Sequence, residues 1–522
     1  MVSPLKEVIS EKDFLEIFQK QTSEIMKICA YLNKKETEES LFTKRFYGNI
    51  TTQARLLEDL LDDYGAKNNR TWVVFRDMVA SARYIGYCSY MIQHVRSRYA
   101  FYDVKNISEN EFLEKTTQAQ EFFNSAIQKV FRSICEEGTS LGLPIPEEKL
   151  KEDDFLDVAS NKMLPHNLGE DFSSKEEENV VKIASEYLNI LRDHEDLLFD
   201  RHHTVQEIAV LIPDYISEEK LRKFELRVHS LQSLYDTYLK NTKIETMHPS
   251  LNSMRGCISV ALHLAEMATT LTHFYERHES VLGQKKVRES IERIIDKEKV
   301  LDCIVNYCLF YCFKHLTRGM SLAQSFLKSF VVIDSITVPI PTYMGFHVRP
   351  ATLVMKIVKH YGTEVTMHIG RESYDAGSAL DIFRANEKIN AQKRQLIVEK
   401  INPSGAKGGI RREVVKGMVY EELDRLVTEG LLLSFDELKV EELACETEED
   451  TIQPDEFKPM VAKEIKRLIA AGKIDIKIDI YATFKGDRRA LKDIEALARA
   501  NYGEDSFGNN IDLPVELEYL RK

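Results

Sequence analysis

The sequence predicts a multidomain chain: an all-α helical domain over residues 1–330, then an α+β domain over 331–522 that carries an insertion at about 392–471. Three observations predict this division. At 522 residues the chain exceeds the size at which a single hydrophobic core stops growing. Up to about residue 330, apolar residues recur at helical spacing with almost no strand-like alternation. Near residue 331 the pattern turns β-branched, Val331-Val332-Ile333 and then Ile336-Thr337-Val338, and leads to Pro339 and Pro341.

Composition narrows the function. With 43% hydrophobic and 30% charged residues, the chain reads as a soluble globular protein. Its net charge of -13 argues against binding nucleic acid through phosphate neutralisation. The start, MVSPLKEVISEKDF, lacks the basic-then-apolar pattern of a signal peptide, so export is not expected. The most apolar run, Val300 to Phe313, is interrupted by Asp302 and Asn306 and falls short of a bilayer span; a buried helix, not membrane insertion, is expected. Eight cysteines without the paired spacings of a disulfide scaffold imply reduced thiols and a cytoplasmic location.

The first helix is expected to open at Ser10, with Asp13 at capping-box spacing, and to carry Phe14, Ile17, Phe18, Ile25, Ile28, Cys29 and Leu32. A later helix pairs Ser174 with Glu177 ahead of Val180, Ile183, Ala184, Tyr187, Leu188 and Leu191. Turn-rich segments at 138–146 and 165–174 separate helices, and no repeat of fixed period is evident. Beyond residue 331, Ala351, Val354, Met355, Val358 and Tyr361, closed by Gly362, predict a helix over about 348–361. Glu364 to Ile369 alternates as a strand, a second short strand falls near 373–375, and Ser378 with Asp381 caps the next helix. The insertion brings a Gly-rich basic loop over 402–412, a helix near 414–430 and an acidic stretch over 446–455. Ile474 to Ile480 then alternates strictly, as a half-buried strand does, before a helix that starts at Asp487 with Ala490, Leu491, Ile494 and Leu497 on one face.

One stretch carries chemistry: Gly345-Phe346-His347-Val348-Arg349-Pro350-Ala351-Thr352. A helix start offers unpaired N–H groups and the positive end of the helix dipole, which together form an anion site. His347 falls at the N-cap, where Ser or Asp is the ordinary choice, and Pro350 lies in the first turn, where its missing N–H costs nothing. Gly345 permits a positive φ just before the histidine, and Arg349 can offer two donors to phosphate oxygens. Arg349, Thr352, Lys356 and Lys359 follow at steps of three and four, a cationic stripe suited to an acidic partner or simply solvated.

On Gly345, His347, Arg349, Pro350 and Ala351, the domain resembles the histidine-containing phosphocarrier protein, HPr, of the phosphoenolpyruvate-dependent sugar phosphotransferase system. The resemblance covers about 330–392 and 472–500, under a quarter of the chain, and nothing before residue 330 shares it. It implies an open-faced β-sandwich, an antiparallel sheet covered by helices, whose last strand and helix are displaced to 474–499 by the insertion. It implies that His347 takes a phosphoryl group on a ring nitrogen and that Arg349 stabilises it. It also implies docking to Enzyme I and to sugar-specific acceptor domains of the EIIA type through Thr352, Lys356, Lys359, Leu380 and Phe383. Ser378 matches a serine that is phosphorylated in some family members, although Asp381 stands where those have glycine and would repel a phosphate. Ser378 with Asp381 is equally an ordinary capping box.

Other clusters invite plainer explanations. Cys303, Cys308, Cys312 and His315 sit among Ile304, Val305, Leu309 and Phe310 and read as small buried groups rather than metal ligands. His194, Glu195, Asp196, Asp200, His202 and His203 read as a solvated helix. The loop Asn402 to Gly409 lacks the order of a phosphate-binding P-loop. The expected function is thus that of an HPr-like phosphocarrier needing no metal or organic cofactor. One rival is a regulatory interaction protein whose helical domain binds an unidentified partner in response to His347 phosphorylation; another is a scaffold that is never phosphorylated.

Overall fold

The computed structural model describes residues 7–34, 42–104, 109–148, 150–157, 164, 176–280, 285–402, 410–445, 451–477 and 479–521. The chain divides into two compact units, Met1–Phe326 and Leu327–Lys522. Among the described residues the first unit has helices and no strand, with Val73–Arg98, Glu109–Ser140 and Ser250–Ser280 the longest of them.

Ser10 caps Glu11–Gln19 by accepting the Asp13 N–H at 3.1 Å, but that helix ends there and a second begins at Ser23, so the single helix expected over this stretch is two. Thr22 Oγ1 donates to Gln19 O at 3.1 Å, a local bond that competes with continuation of the helix. Ser174, the expected cap of Glu176–Asp193, lies outside the described residues, as do the insertion segments 403–409 and 446–450. Val300 to Phe313 is buried apart from exposed Asp302 and half-buried Phe310, and it passes through a π-helical stretch, Cys303–Leu309. The thiols of Cys303, Cys308 and Cys312 are buried, and His315 has both ring nitrogens engaged, with Tyr311 O at 2.7 Å and Tyr99 Oη at 3.1 Å. No helix among the described residues is long and apolar enough to cross a membrane.

Trp72 packs edge-on against Phe14, Phe18 and Phe75. One turn on, Arg76 is buried and bridges Glu58 at 2.8 Å and Asp62 at 2.6 Å. Removing one partner of such a buried cluster strands the opposite charges. Arg76→Ala is therefore expected to lower the stability of the first unit by about 3–5 kcal/mol, read by denaturant unfolding of the full chain through fluorescence of Trp72, the only tryptophan.

The second unit is built on β1 (Ile333–Pro339), α1 (Val348–Tyr361), β2 (Val365–Ile369), β3 (Glu372–Asp375) and α2 (Ala379–Lys400). The insertion follows, then β8 (Tyr481–Asp487) and α5 (Arg488–Arg499). The sheet is antiparallel, in the order β1-β8-β2-β3. Its buried face, with Val338, Met367, Ala482 and Phe484, meets Leu353, Val354 and Ile357 of α1, Ile382 and Ala385 of α2, and Leu491, Ile494 and Leu497 of α5. The other face carries Ser335, Thr337, Thr483 and Lys485. The tail folds back onto the same core through Tyr502, Leu513, Leu517 and Leu520.

The insertion has a separate core and an internal order that the sequence reading misses. It contains β4 (Ile410–Arg411), α3 (Arg412–Thr428), β5 (Leu432–Ser434), β6 (Thr451–Ile452), α4 (Pro454–Ala470) and β7 (Ile474–Ile476). These are two repeats offset by 42 positions, as Ile452 is to Ile410. Lys416, Met418, Val419, Glu422, Arg425, Leu426 and Gly430 recur as Lys458, Met460, Val461, Glu464, Arg467, Leu468 and Gly472. Contacts repeat with them. Glu422 accepts the Asn402 N–H at 2.7 Å, and Glu464 accepts the Ala444 N–H at 3.2 Å. Arg425 donates to Lys400 O, and Arg467 to Glu442 O, both at 2.8 Å. Repeats pair antiparallel, Ile410 with Ile452 and Leu433 with Asp475, as a local two-fold axis requires.

Ile474 to Ile480 is accordingly not the last strand of the main sheet. Ile474–Ile476 pairs with β5 inside the insertion and is buried on both faces, while the main sheet takes Tyr481–Asp487. The helix capped by Ser378, α2, runs 22 residues, its first half in the sheet core and its end, at Ile397, in the core of the insertion.

Candidate functional site

Between β1 and α1 the chain makes an unusual turn. Met344 and Gly345 both have positive φ, 48° and 63°. Side chains from three separate segments take up the N–H groups of this loop. Asn501, in the tail, accepts from Thr342 at 3.2 Å; Asp475, in the insertion, accepts from Met344 at 2.9 Å; Asn386, on α2, accepts from Phe346 at 2.8 Å. Asn386 also donates to Met344 O at 3.1 Å, so its amide grips the loop on both sides of Gly345.

This delivers His347 to the N-cap of α1, in extended conformation, with no side chain capping the helix. The first-turn N–H groups therefore stay available to an anion. The ring is about a quarter exposed. Nδ1 lies 3.1 Å from Gly345 O and Nε2 3.1 Å from Glu504 Oε1, while Tyr343 presents its ring at 82° with centroids 5.5 Å apart. Tyr343 packs in turn on Phe435 of the insertion.

Glu504 is the residue that sequence reasoning missed. It stands on a hairpin after α5, formed where Asn501, Tyr502 and Gly503 all take positive φ and where Asp505 accepts the N–H groups of Phe507 and Asn509. Its side chain is nearly buried, and burial raises its carboxyl above the ordinary carboxylate range, against the pull of His347 and Arg349. Glu504 Oε2 and Arg349 Nε are both buried without a hydrogen-bond partner among the described residues. A stretch as rich in turn residues as Asn501-Tyr502-Gly503 signals a loop; nothing in it signals a partner 157 positions away.

The other expected site residues are scattered around this centre. Arg349 lies over Gly503, where an added Cβ would stand 3.4 Å from Nη2. Thr352 bonds back to Val348 O at 2.6 Å within its own helix. Lys356 is half-buried and donates to Leu520 O at 3.2 Å, so the stripe on α1 is partly covered by the tail, while Lys359 is exposed. Leu380 is 61% exposed, and Phe383 packs partly into the core. Ser378 is the N-cap of α2 and accepts the Asp381 N–H at 3.3 Å; the Asp381 carboxylate turns instead to Arg384 at 3.0 Å.

No group of His, Cys, Asp and Glu able to hold a metal ion occurs among the described residues. The helical unit has a polar cavity of about 720 Å³, but its Arg83 and Arg222 are already paired with Glu58 and Glu218. Comparison with family models, with curated proteins and with solved structures gives no match to this chain.

A Cβ at position 345 would fall 2.2 Å from Asn386 Oδ1, and the left-handed backbone there disfavours any side chain. Gly345→Ala is therefore expected to break the Asn386 grip and to lower hydrogen-exchange protection of the Phe346 amide by roughly 1–3 kcal/mol. Unchanged protection would show that the grip does not depend on glycine.

Proposed function

We propose that the second unit is an HPr-like phosphoryl acceptor of a phosphoenolpyruvate-dependent phosphotransferase relay, with His347 as the nucleophile. The observation that carries this reading is the uncapped helix start at His347 together with Arg349 two residues on, whose buried Nε lacks an acceptor among the described residues. A phosphoryl group on His347 would supply that acceptor and meet the first-turn N–H groups. The antiparallel order β1-β8-β2-β3, with helices over one face, supports an HPr-like fold for the unit.

The reaction is in-line transfer from a phosphohistidine of Enzyme I. A His347 nitrogen lone pair forms the new N–P bond, the donor N–P bond breaks, and its electrons return to the donor ring. Arg349 and the helix start balance the phosphoryl charge, and transfer to an acceptor domain of the EIIA type reverses the sequence. This chemistry calls for no metal or organic cofactor on the chain and belongs to the cytoplasm. Thr352, Lys359 and Leu380 would meet the partners. Phosphorylation of Ser378 is not favoured, since its hydroxyl oxygen already accepts a helix N–H and Asp381 stands one turn on.

The rival is the regulatory reading, in which phosphorylated His347 alters binding of a partner to the helical unit without onward transfer; the engagement of both ring nitrogens favours instead a scaffold that is never phosphorylated. Incubation with labelled phosphoenolpyruvate and Enzyme I, then with an acceptor domain, separates these readings. Acid-labile label on the wild type, absent from His347→Ala and passed onward, is the expected result. Label retained on the protein favours the regulatory reading, and no label beside a working HPr control overturns both.

Glu504 gives this acceptance a pH dependence. While its carboxyl is protonated, the O–H can donate to Nε2 and Nδ1–H to Gly345 O, so that neither nitrogen has a free lone pair. Once ionised, it accepts Nε2–H, and the neutral ring then carries its lone pair on Nδ1, which turns away from the Gly345 carbonyl to reach a donor. Because burial raises this ionisation above the ordinary 4.5, the labelling rate should climb as pH rises through the raised value. Glu504→Gln, which neither titrates nor carries a charge to hold Nε2–H, should flatten the climb and slow labelling roughly tenfold. A pH profile identical to wild type would contradict this role.

A further inference from the structure

The two repeats of the insertion differ at the position that matters to His347. On the local two-fold axis, β5 contributes Leu433 and β7 contributes Asp475, directly opposed across the strand pair. Symmetric packing would be served by an apolar residue in both, yet the second repeat buries a carboxylate with 4% exposure. A buried carboxylate is costly unless it is paired and hydrogen-bonded. Here Oδ2 accepts the Met344 N–H at 2.9 Å and faces Lys393 Nζ, itself 3% exposed, at 3.4 Å; Oδ1 accepts the Ile476 N–H at 2.7 Å. Departure from symmetry thus coincides with a hydrogen bond from the insertion to the loop that carries His347. That bond lands on Met344, a non-glycine residue at φ 48°, a left-handed conformation that a side-chain-bearing residue rarely holds unless its surroundings impose it.

We infer that Asp475 is a positioning residue for His347: the insertion acts as a brace that holds Met344 in its left-handed conformation and thereby seats the imidazole between Gly345 O and Glu504. Lys393 neutralises the buried carboxylate and orients it. Only the phosphoryl readout below rests on the proposed function; the placement of the ring does not.

The rival is that the Asp475–Lys393 pair merely fastens the insertion to α2. Two double variants of the full chain separate these roles, because both abolish the ion pair and only one keeps an acceptor for the Met344 N–H. D475N/K393M retains a side-chain carbonyl at that place. D475L/K393M puts there the residue that the first repeat carries. The primary readout is the ¹⁵N chemical shifts of the His347 ring at fixed pH, identified among the 14 histidines by their loss in His347→Ala. Wild-type shifts in D475N/K393M and altered shifts in D475L/K393M are expected. Labelling by phosphoenolpyruvate and Enzyme I should fall tenfold or more in the leucine variant alone, the order expected when a reacting group is misplaced by about 1 Å. His347 shifts that match between the two variants would overturn the inference. Should the leucine variant fail to fold, D475A/K393M makes the same comparison without the added bulk. Failure of wild type to take label would count against the proposed function and leave the comparison of ring shifts intact.

Discussion

The site depends on a backbone that would not hold its shape by itself. Two successive left-handed residues, Met344 and Gly345, turn the chain from β1 into α1, and the N–H groups of Thr342, Met344 and Phe346 are answered by Asn501, Asp475 and Asn386. Each acceptor comes from a different part of the unit: the tail, the insertion and α2. None of the three segments could be removed without freeing one loop N–H from its partner. Satisfying these donors brings the imidazole to the uncapped start of α1, where the helix itself supplies the electrostatics of an anion site.

The same arrangement explains how a long insertion coexists with the site. It leaves the main sheet through α2 and returns immediately before β8, so the register of the four main strands is undisturbed. Its two halves satisfy one another through paired strands and a shared apolar core that includes Ile410, Val419, Leu426, Ile452, Val461 and Leu468. A self-contained module of this kind adds little strain at its point of entry, and it reaches the loop through Asp475 and, by packing, through Phe435 on Tyr343.

Local signals in the sequence were legible; pairings across distance were not. Val348–Tyr361 with Gly362 at φ 65° follows from apolar spacing and a C-terminal glycine, both written within a few turns of chain. His347 at the N-cap follows from the motif alone. Ile474 to Ile480 misled because period-2 alternation marks an extended segment without naming its partner strand. The true last strand, Tyr481–Asp487, has glycine and aspartate at its end and a weaker apolar pattern. The 42-position repeat escaped because it rests on sparse identities, such as Glu422 with Glu464 and Arg425 with Arg467, whose role as latches emerges only once their carbonyl and N–H partners are placed. Glu504 was invisible for a related reason: a carboxylate in a turn-rich hairpin becomes a histidine partner only through the fold.

The proposed transfer rests on Glu504 holding Nε2–H, which leaves Nδ1 of His347 as the nucleophile. The most direct measurement is the ³¹P and ¹⁵N spectrum of the full chain after phosphorylation by Enzyme I. A single phosphohistidine at Nδ1, with Nε2–H still directed at Glu504, is the predicted result. Phosphorylation at Nε2 would contradict the selection, and a spectrum without phosphohistidine would contradict the acceptor role itself.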